Sequence, residues 1–147
     1  MPHYGAAVNS PPSSSRLLPK ATPETQHFWS GISQEKLLLQ ACNDCSKHYF
    51  PPRPFCPNCG SHSVLVTQST GKASLLSYVI SAKPAPGLEA PYIVAIVALH
   101  EGPQMMTNII NCAPSPDSLH IGMPLRVVFQ RQNDEVSLPL FEPAEHK

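Results

Sequence analysis

Cys42-Asn43-Asp44-Cys45 and Cys56-Pro57-Asn58-Cys59-Gly60, with the ten residues from Ser46 to Phe55 between them, decide how this chain folds. Each Cys-x-x-Cys turn aims backbone amides at its sulfurs, and two such turns complete a tetrahedron around zinc at about 2.3 Å. Gly60 supplies the backbone freedom the second turn wants. The first pair is followed instead by Ser46, where glycine is more usual. Four thiolates leave no open position for water, so the expected cofactor is one structural Zn(2+) held by Cys42, Cys45, Cys56 and Cys59. Iron, which accepts the same ligands, and disulfides or free thiols are the competing readings.

Working outward, Lys36 to Gln40 reads as a strand feeding the first cysteine pair, and Tyr49 to Pro54 as a strand followed by a proline-stiffened return. Ser61 to Thr70 is a connecting strand. Five strand-like runs follow: Lys72 to Ser81, Tyr92 to Glu101, Gln104 to Cys112, Leu125 to Gln130 and Glu135 to Leu140. Turn residues separate them, among them Pro84, Gly87, Gly102-Pro103, Pro116, Gly122 and Asn133-Asp134. Leu125, Val127 and Phe129 alternate onto one face. Ile93 to Leu99 is apolar on both faces, as expected when another element covers its outside. Met105-Met106 reads as core. Five short strands with a non-strand insertion after the third predict a small closed barrel of the OB type, with a sandwich fragment as the alternative. The fold class is therefore mainly β.

Upstream, residues 1–20 combine Pro2, Pro11, Pro12, Ser13 to Ser15 and Pro19, with few apolar side chains. Such a tail cannot offset its ordering entropy, so it is expected to be disordered or ordered only against a partner. Thr22-Pro23-Glu24 reads as a helix start and Gly31 as its stop, with Phe28 and Trp29 carried between. A two-turn helix is unstable alone, so these aromatics must pack on the chain's own core or on a partner. The expected organisation is a tail over 1–20, a helical segment over 21–35, a metal ribbon over 36–63 and a barrel over 64–147.

The 147 residues carry ten basic and ten acidic side chains and 18 prolines. From residue 64 onward the basic residues are Lys72, Lys83, Arg126, Arg131 and Lys147. The acidic ones are Glu89, Glu101, Asp117, Asp134, Glu135, Glu142 and Glu145. A nucleic-acid binder needs a basic face to displace phosphate counterions, and this balance does not supply one. No apolar run reaches the ~20 residues of a membrane span, and no secretory leader pattern opens the chain. With unpaired Cys-x-x-Cys chemistry suited to reducing conditions, a cytoplasmic location is expected. No nucleophile elbow, phosphate loop or carboxylate pair at helical spacing is present. Cys112 reads as a packing residue rather than a nucleophile.

Taken together, Thr22-Pro23-Glu24 with Phe28-Trp29, the two cysteine pairs, Phe50-Pro51-Pro52-Arg53, Gly71-Lys72, Ile121-Gly122-Met123-Pro124-Leu125 and Pro139-Leu140-Phe141 make a wider pattern. It resembles an acyl-CoA-associated family that joins a short helical hairpin and a rubredoxin-like zinc ribbon to an OB-fold. The likeness runs through residues 20–143. It implies an accessory subunit that is not an enzyme on its own. Its partner would be a larger thiolase-like or aldolase-like chain that holds the catalytic residues, in a hetero-oligomer acting on acyl-CoA by thiolysis, retro-aldol cleavage, acyl transfer or hydration. The resemblance carries over the four cysteine ligands and no residue-level CoA site. Phe28, Trp29 and Tyr49 are the expected partner anchors. A single-stranded nucleic-acid module is the alternative from another class, since ribbons and OB-folds both occur there. A stand-alone enzyme using Cys112 is a third.

Overall fold

The computed structural model describes residues 16–144. The first fifteen residues of the expected tail lie outside the described residues. Of the rest of that segment, Arg16 is tied to the chain's own barrel, its Nη2 donating to Asn108 Oδ1 at 2.8 Å.

Among the described residues, one α-helix, α1 (Gln26–Ser33), precedes eight strands. These are β1 (Leu38–Cys42), β2 (His48–Tyr49), β3 (Val64–Gln68), β4 (Lys72–Ser81), β5 (Tyr92–Leu99), β6 (Gln104–Ile109), β7 (Pro124–Arg131) and β8 (Ser137–Pro143). The implied helical hairpin is a single helix among the described residues. It begins at Gln26 rather than Pro23. Thr22 and Thr25 close a turn instead, with Thr25 N donating to Thr22 O at 3.0 Å and Thr22 N donating to Thr25 Oγ1 at 2.9 Å. The Thr25 hydroxyl is thereby turned back and caps nothing ahead of it.

Gly31 does not end the helix. It sits inside α1 because a Cβ there would come within 2.7 Å of Leu38 Cδ1, so the helix and the lead into β1 approach through its missing side chain. The left-handed stop falls on Glu35, at φ 60°. Glu35 N donates to Ile32 O at 3.0 Å and Lys36 N to Gly31 O at 2.8 Å, the paired bonds that close a helix C-terminus. Phe28, Gly31 and Ile32, spaced i, i+3, i+4, form the buried stripe of α1.

The ribbon sheet has the order β2-β1-β3, all antiparallel. β3 pairs with β1 from Val64 to Gln68, so the strand placed with the barrel by the 63/64 boundary completes the ribbon sheet. The remaining five strands, close to their expected positions, close a barrel in the order β4-β5-β6-β8-β7. A short 3-10 turn, Pro116–Ser118, occupies the insertion between β6 and β7. β4 carries a bulge between Leu75 and Ser77. Closure is parallel, through the single register pair Ile109↔Phe141. Pro139 has no N–H to offer that seam. The Thr107 hydroxyl donates to Pro139 O at 3.1 Å there, and Ile110 N donates to Phe141 O at 2.8 Å.

One buried cluster joins the parts. Phe28 and Ile32 of the helix and Leu37 and Leu39 of the ribbon base pack with Leu75, Ile93, Val97, Leu125 and Phe141 of the barrel. Glu101 pins the joint between ribbon and barrel. Its carboxylate accepts from Ser69 Oγ and from Thr70 N, both at 2.8 Å. Burial acts to raise its pKa, but the Thr70 N–H and the Ser69 hydroxyl outweigh it and hold the carboxyl below the ordinary range.

A folded pKa below the unfolded one means stability present above the unfolded value, about 4.3 for Glu, and lost as pH falls through the folded value. Glu101→Gln is therefore expected to cost about 1 kcal/mol at pH 7, discounted for partial exposure. Thermal melts should show the gap between variant and wild type closing below about pH 4. A gap that persists unchanged in acid would show that shape, not charge, accounts for the residue.

Candidate metal centre

The two Cys-x-x-Cys turns repeat each other's backbone. Cys42 N donates to Lys47 O at 3.0 Å and Cys56 N to Ser61 O at 2.8 Å. Ser46 N returns to Cys42 O at 2.9 Å, as Gly60 N returns to Cys56 O at 2.8 Å. Both fourth-following residues are left-handed, Ser46 at φ 64° and Gly60 at φ 79°. The serine noticed in the sequence thus occupies the glycine conformation of its twin, at a cost of roughly 1 kcal/mol. β1 delivers Cys42 to the first turn, and β3 begins just after the second.

All four sulfurs lie within 4.8 Å of one another. Cys42 Sγ and Cys59 Sγ are 3.6 Å apart, as are Cys45 Sγ and Cys56 Sγ. A tetrahedron with metal–sulfur bonds of ~2.3 Å has edges of about 3.8 Å, so the donor set fits one zinc ion. Backbone amides converge on the sulfurs: Asp44 N and Cys45 N on Cys42 Sγ at 3.3 and 3.4 Å, and Asn58 N on Cys56 Sγ at 3.4 Å.

The Asn58 side-chain amide, with the Lys47 backbone N–H, draws the Cys45 thiol down to about 6. The Ser61 backbone N–H favours the Cys59 thiolate, but the adjoining sulfurs, Cys42 foremost, and desolvation push that thiol up to about 12. Thiols this close do not all ionise beside one another. A divalent cation reverses that constraint and binds the set as thiolates. With four sulfurs engaged no position is left for water or substrate, so the ion organises the turns and performs no chemistry.

Bracing groups surround the centre. Asn58 Nδ2 donates to Cys45 Sγ at 3.5 Å, and the Ser61 hydroxyl is hydrogen-bonded to Asp44. Tyr49 OH donates to Arg53 O at 2.9 Å, and Arg53 N donates to Gln40 Oε1 at 2.6 Å, fixing the loop between the turns. Asn58 and Gln40 were not singled out in the sequence. The amide at the second x of a Cys-x-x-Cys was the one available signal.

Two of the three expected partner anchors point inward. Phe28 is 3% exposed and meets Trp29 edge-on at 5.0 Å and Phe50 at 5.1 Å. Tyr49 is 6% exposed and packs with Cys42 and Cys56. The helix has a core to bury Phe28 in, and the ribbon uses its tyrosine as its own apolar filling. Trp29 is half-buried beside a cleft of about 470 Å³ lined by Lys20, Gln26, Ser33 and Glu135 among others. Cys112 is half-buried against the core, where burial raises its thiol pKa. Met106, read as core, is 72% exposed, while Met105 is buried.

A closed tetrathiolate ribbon, continued through its own sheet into a five-stranded OB barrel, defines a two-part zinc-ribbon/OB protein. The sequence matches the ChsH2 rubredoxin-like zinc ribbon domain over residues 29–64 and the ChsH2 C-terminal OB-fold domain over residues 66–130. It is 34% identical over 134 residues to a probable enoyl-CoA hydratase alpha subunit of Thermomonospora curvata, covering 90% of this chain and 41% of that one. It is 34% identical over 116 residues to a DUF35 domain-containing scaffold protein of Methanothermobacter thermautotrophicus, covering 76% of this chain and 86% of the relative. Among solved structures, a chain of the Ltp2-ChsH2(DUF35) aldolase superposes with a TM-score of 0.76 at 32% identity, covering 85% of this chain and 98% of that one. The chain belongs to the DUF35 family, of which ChsH2 supplies both matching domains. It spans only 41% of the hydratase alpha subunit's length. No helix among the described residues is long and apolar enough to cross a membrane.

Proposed function

We propose that this chain is a non-catalytic accessory subunit of a cytoplasmic hetero-oligomeric enzyme that acts on acyl-CoA. The larger partner, a thiolase-like or aldolase-like chain, holds the catalytic residues for thiolysis, retro-aldol cleavage or acyl transfer. This chain supports its assembly and the access of the CoA substrate. The observation that carries the reading is the kinship over most of this chain with a subunit solved within an aldolase assembly. The saturated zinc ligand set agrees with it, because such a centre shapes the ribbon and leaves chemistry to another chain.

The test is native mass spectrometry of the affinity-tagged chain isolated from its own host, followed by acyl-CoA turnover assays on the separated and recombined chains. The expected result is one zinc ion, a larger chain, and turnover that falls when the small chain is withheld. A chain that arrives alone with its zinc, and whose addition leaves such enzymes unchanged, would refute the proposal.

A further inference from the structure

Given that accessory role, on which this inference rests, we propose that the outward face of β4, β5 and β6 holds the larger subunit, by receiving an apolar, uncharged surface of that protein. Register builds this face from three rows across the strands: Val79–Val94–Asn108, Ser77–Ile96–Met106 and Ser74–Ala98–Gln104. Leu76, set out by the bulge, flanks them. None of these ten side chains is charged, in a chain with twenty charged residues. Met106 is 72% exposed, Val79 64% and Leu76 43%, and Val94, Ile96 and Ala98 lie half-open between them.

Single exposed apolar residues are ordinary. A contiguous apolar patch marks a site of interaction. On a β5 strand apolar on both faces, the inner residues Ile93, Ala95, Val97 and Leu99 fill the barrel. The described residues contribute the Arg16–Asn108 contact at the edge of the outer face.

The chemistry selects the occupant. OB-folds take oligonucleotides on the face of their second and third strands, here β5 and β6. Single strands require cations along that groove and aromatic rings for base stacking. Apart from Tyr92 at the start of β5 and Arg16 bonded to Asn108 at the edge, the outward residues Val94, Ile96, Ala98, Gln104, Met106 and Asn108 supply neither. An anionic lipid surface needs basic residues as well. Protein interfaces, by contrast, lose charge at their centres and gain methionine.

Size separates a larger chain from a second copy. A standard interface takes ~20–30 residues a side and obligate homodimers more, so two copies of a ten-residue face give too little contact for a stable dimer. The face suits the apolar centre of a wider footprint on a bigger protein.

The test uses the full chain with the larger chain that co-purifies from the host and is identified by mass spectrometry as an acyl-CoA enzyme. Val79→Glu and Met106→Glu are expected each to weaken binding by about thirtyfold, as loss of a central anchor does. Zinc content and melting temperature should be unchanged, since both side chains point away from the core. Ile121→Glu, equally exposed but off this face, is the control and should bind as wild type. Hydrogen exchange should slow in residues 76–79, 94–98 and 104–108 on complex formation.

Wild-type affinity in both glutamate variants, or protection confined to other segments, overturns the assignment while leaving the accessory role standing. A wild-type homodimer dissolved by the same variants overturns it in favour of self-association. If no larger chain co-purifies, the accessory reading fails and this inference falls with it.

Discussion

Cys56→Ala is expected to abolish zinc binding and unfold the knuckle end of the ribbon, leaving the barrel intact. The apolar filling at that end is slight: Cys42, Tyr49 and Cys56 are buried, with Cys45 and Val64 against them. So small a cluster cannot offset the entropy of ordering both turns. Metal binding can, since a structural zinc supplies on the order of 10–16 kcal/mol in zinc-finger peptides. Removing one ligand leaves three thiolates around a divalent ion and takes away the acceptor of the Asn58 backbone N–H.

The base of the ribbon is a different case. Leu37 and Leu39 are anchored in the cluster shared with the barrel. Metal analysis should therefore give no stoichiometric zinc. Hydrogen exchange should become fast at Ser46 and Gly60 and remain slow in β4, β5 and β7. Equal loss of protection throughout the barrel would show that ribbon and barrel fold as one unit.

Phe28→Ala should lower the stability of the whole molecule by about 3–5 kcal/mol, the usual range for a buried phenylalanine replaced by alanine. The ring touches three parts of the fold: Trp29 on its own helix, Phe50 in the ribbon and the barrel core. Its removal opens a cavity where the neighbours belong to different elements and cannot collapse together. For a chain of this size the melting temperature should fall by roughly 10–20 °C. Phe28→Leu should recover more than half of that loss by refilling the space. Scanning calorimetry of the zinc-loaded chain reads both. An unchanged melting temperature combined with a lost partner would restore Phe28 as a docking residue.

The cysteine pairs and the barrel strands were legible because each is a local signal. Ligand spacing, turn chemistry and alternation are all written within a few residues of the elements they specify. The helix was legible in existence but not in its ends. Thr22 carries a good capping side chain, yet Thr25 competes for it, and a contest between two hydroxyls three residues apart is decided by tertiary placement. Gly31 has the residue type of a helix stop and a different task, set by Leu38.

Long-range facts were the least readable. Whether Phe28 faces inward depends on a barrel that begins more than forty residues later. Met106 is chemically a core residue whose exposure follows from strand parity alone. The four metal ligands come together as their spacing implies, whereas the supports from Asn58 and Gln40 arise from turns that only the folded loop creates.

The barrel's closure carries a mechanical consequence. Four of its five seams are antiparallel ladders; the fifth is one parallel pair beside a proline. Such a cylinder is a hoop with one compliant joint, and deformation concentrates where the fewest bonds must yield. The β4–β5 ladder lies across the ring from that joint, running from Ala73 to Ser81. Bending is therefore absorbed at β6 and β8, and the far wall keeps its curvature, as a rigid platform does when its hinge is placed behind it.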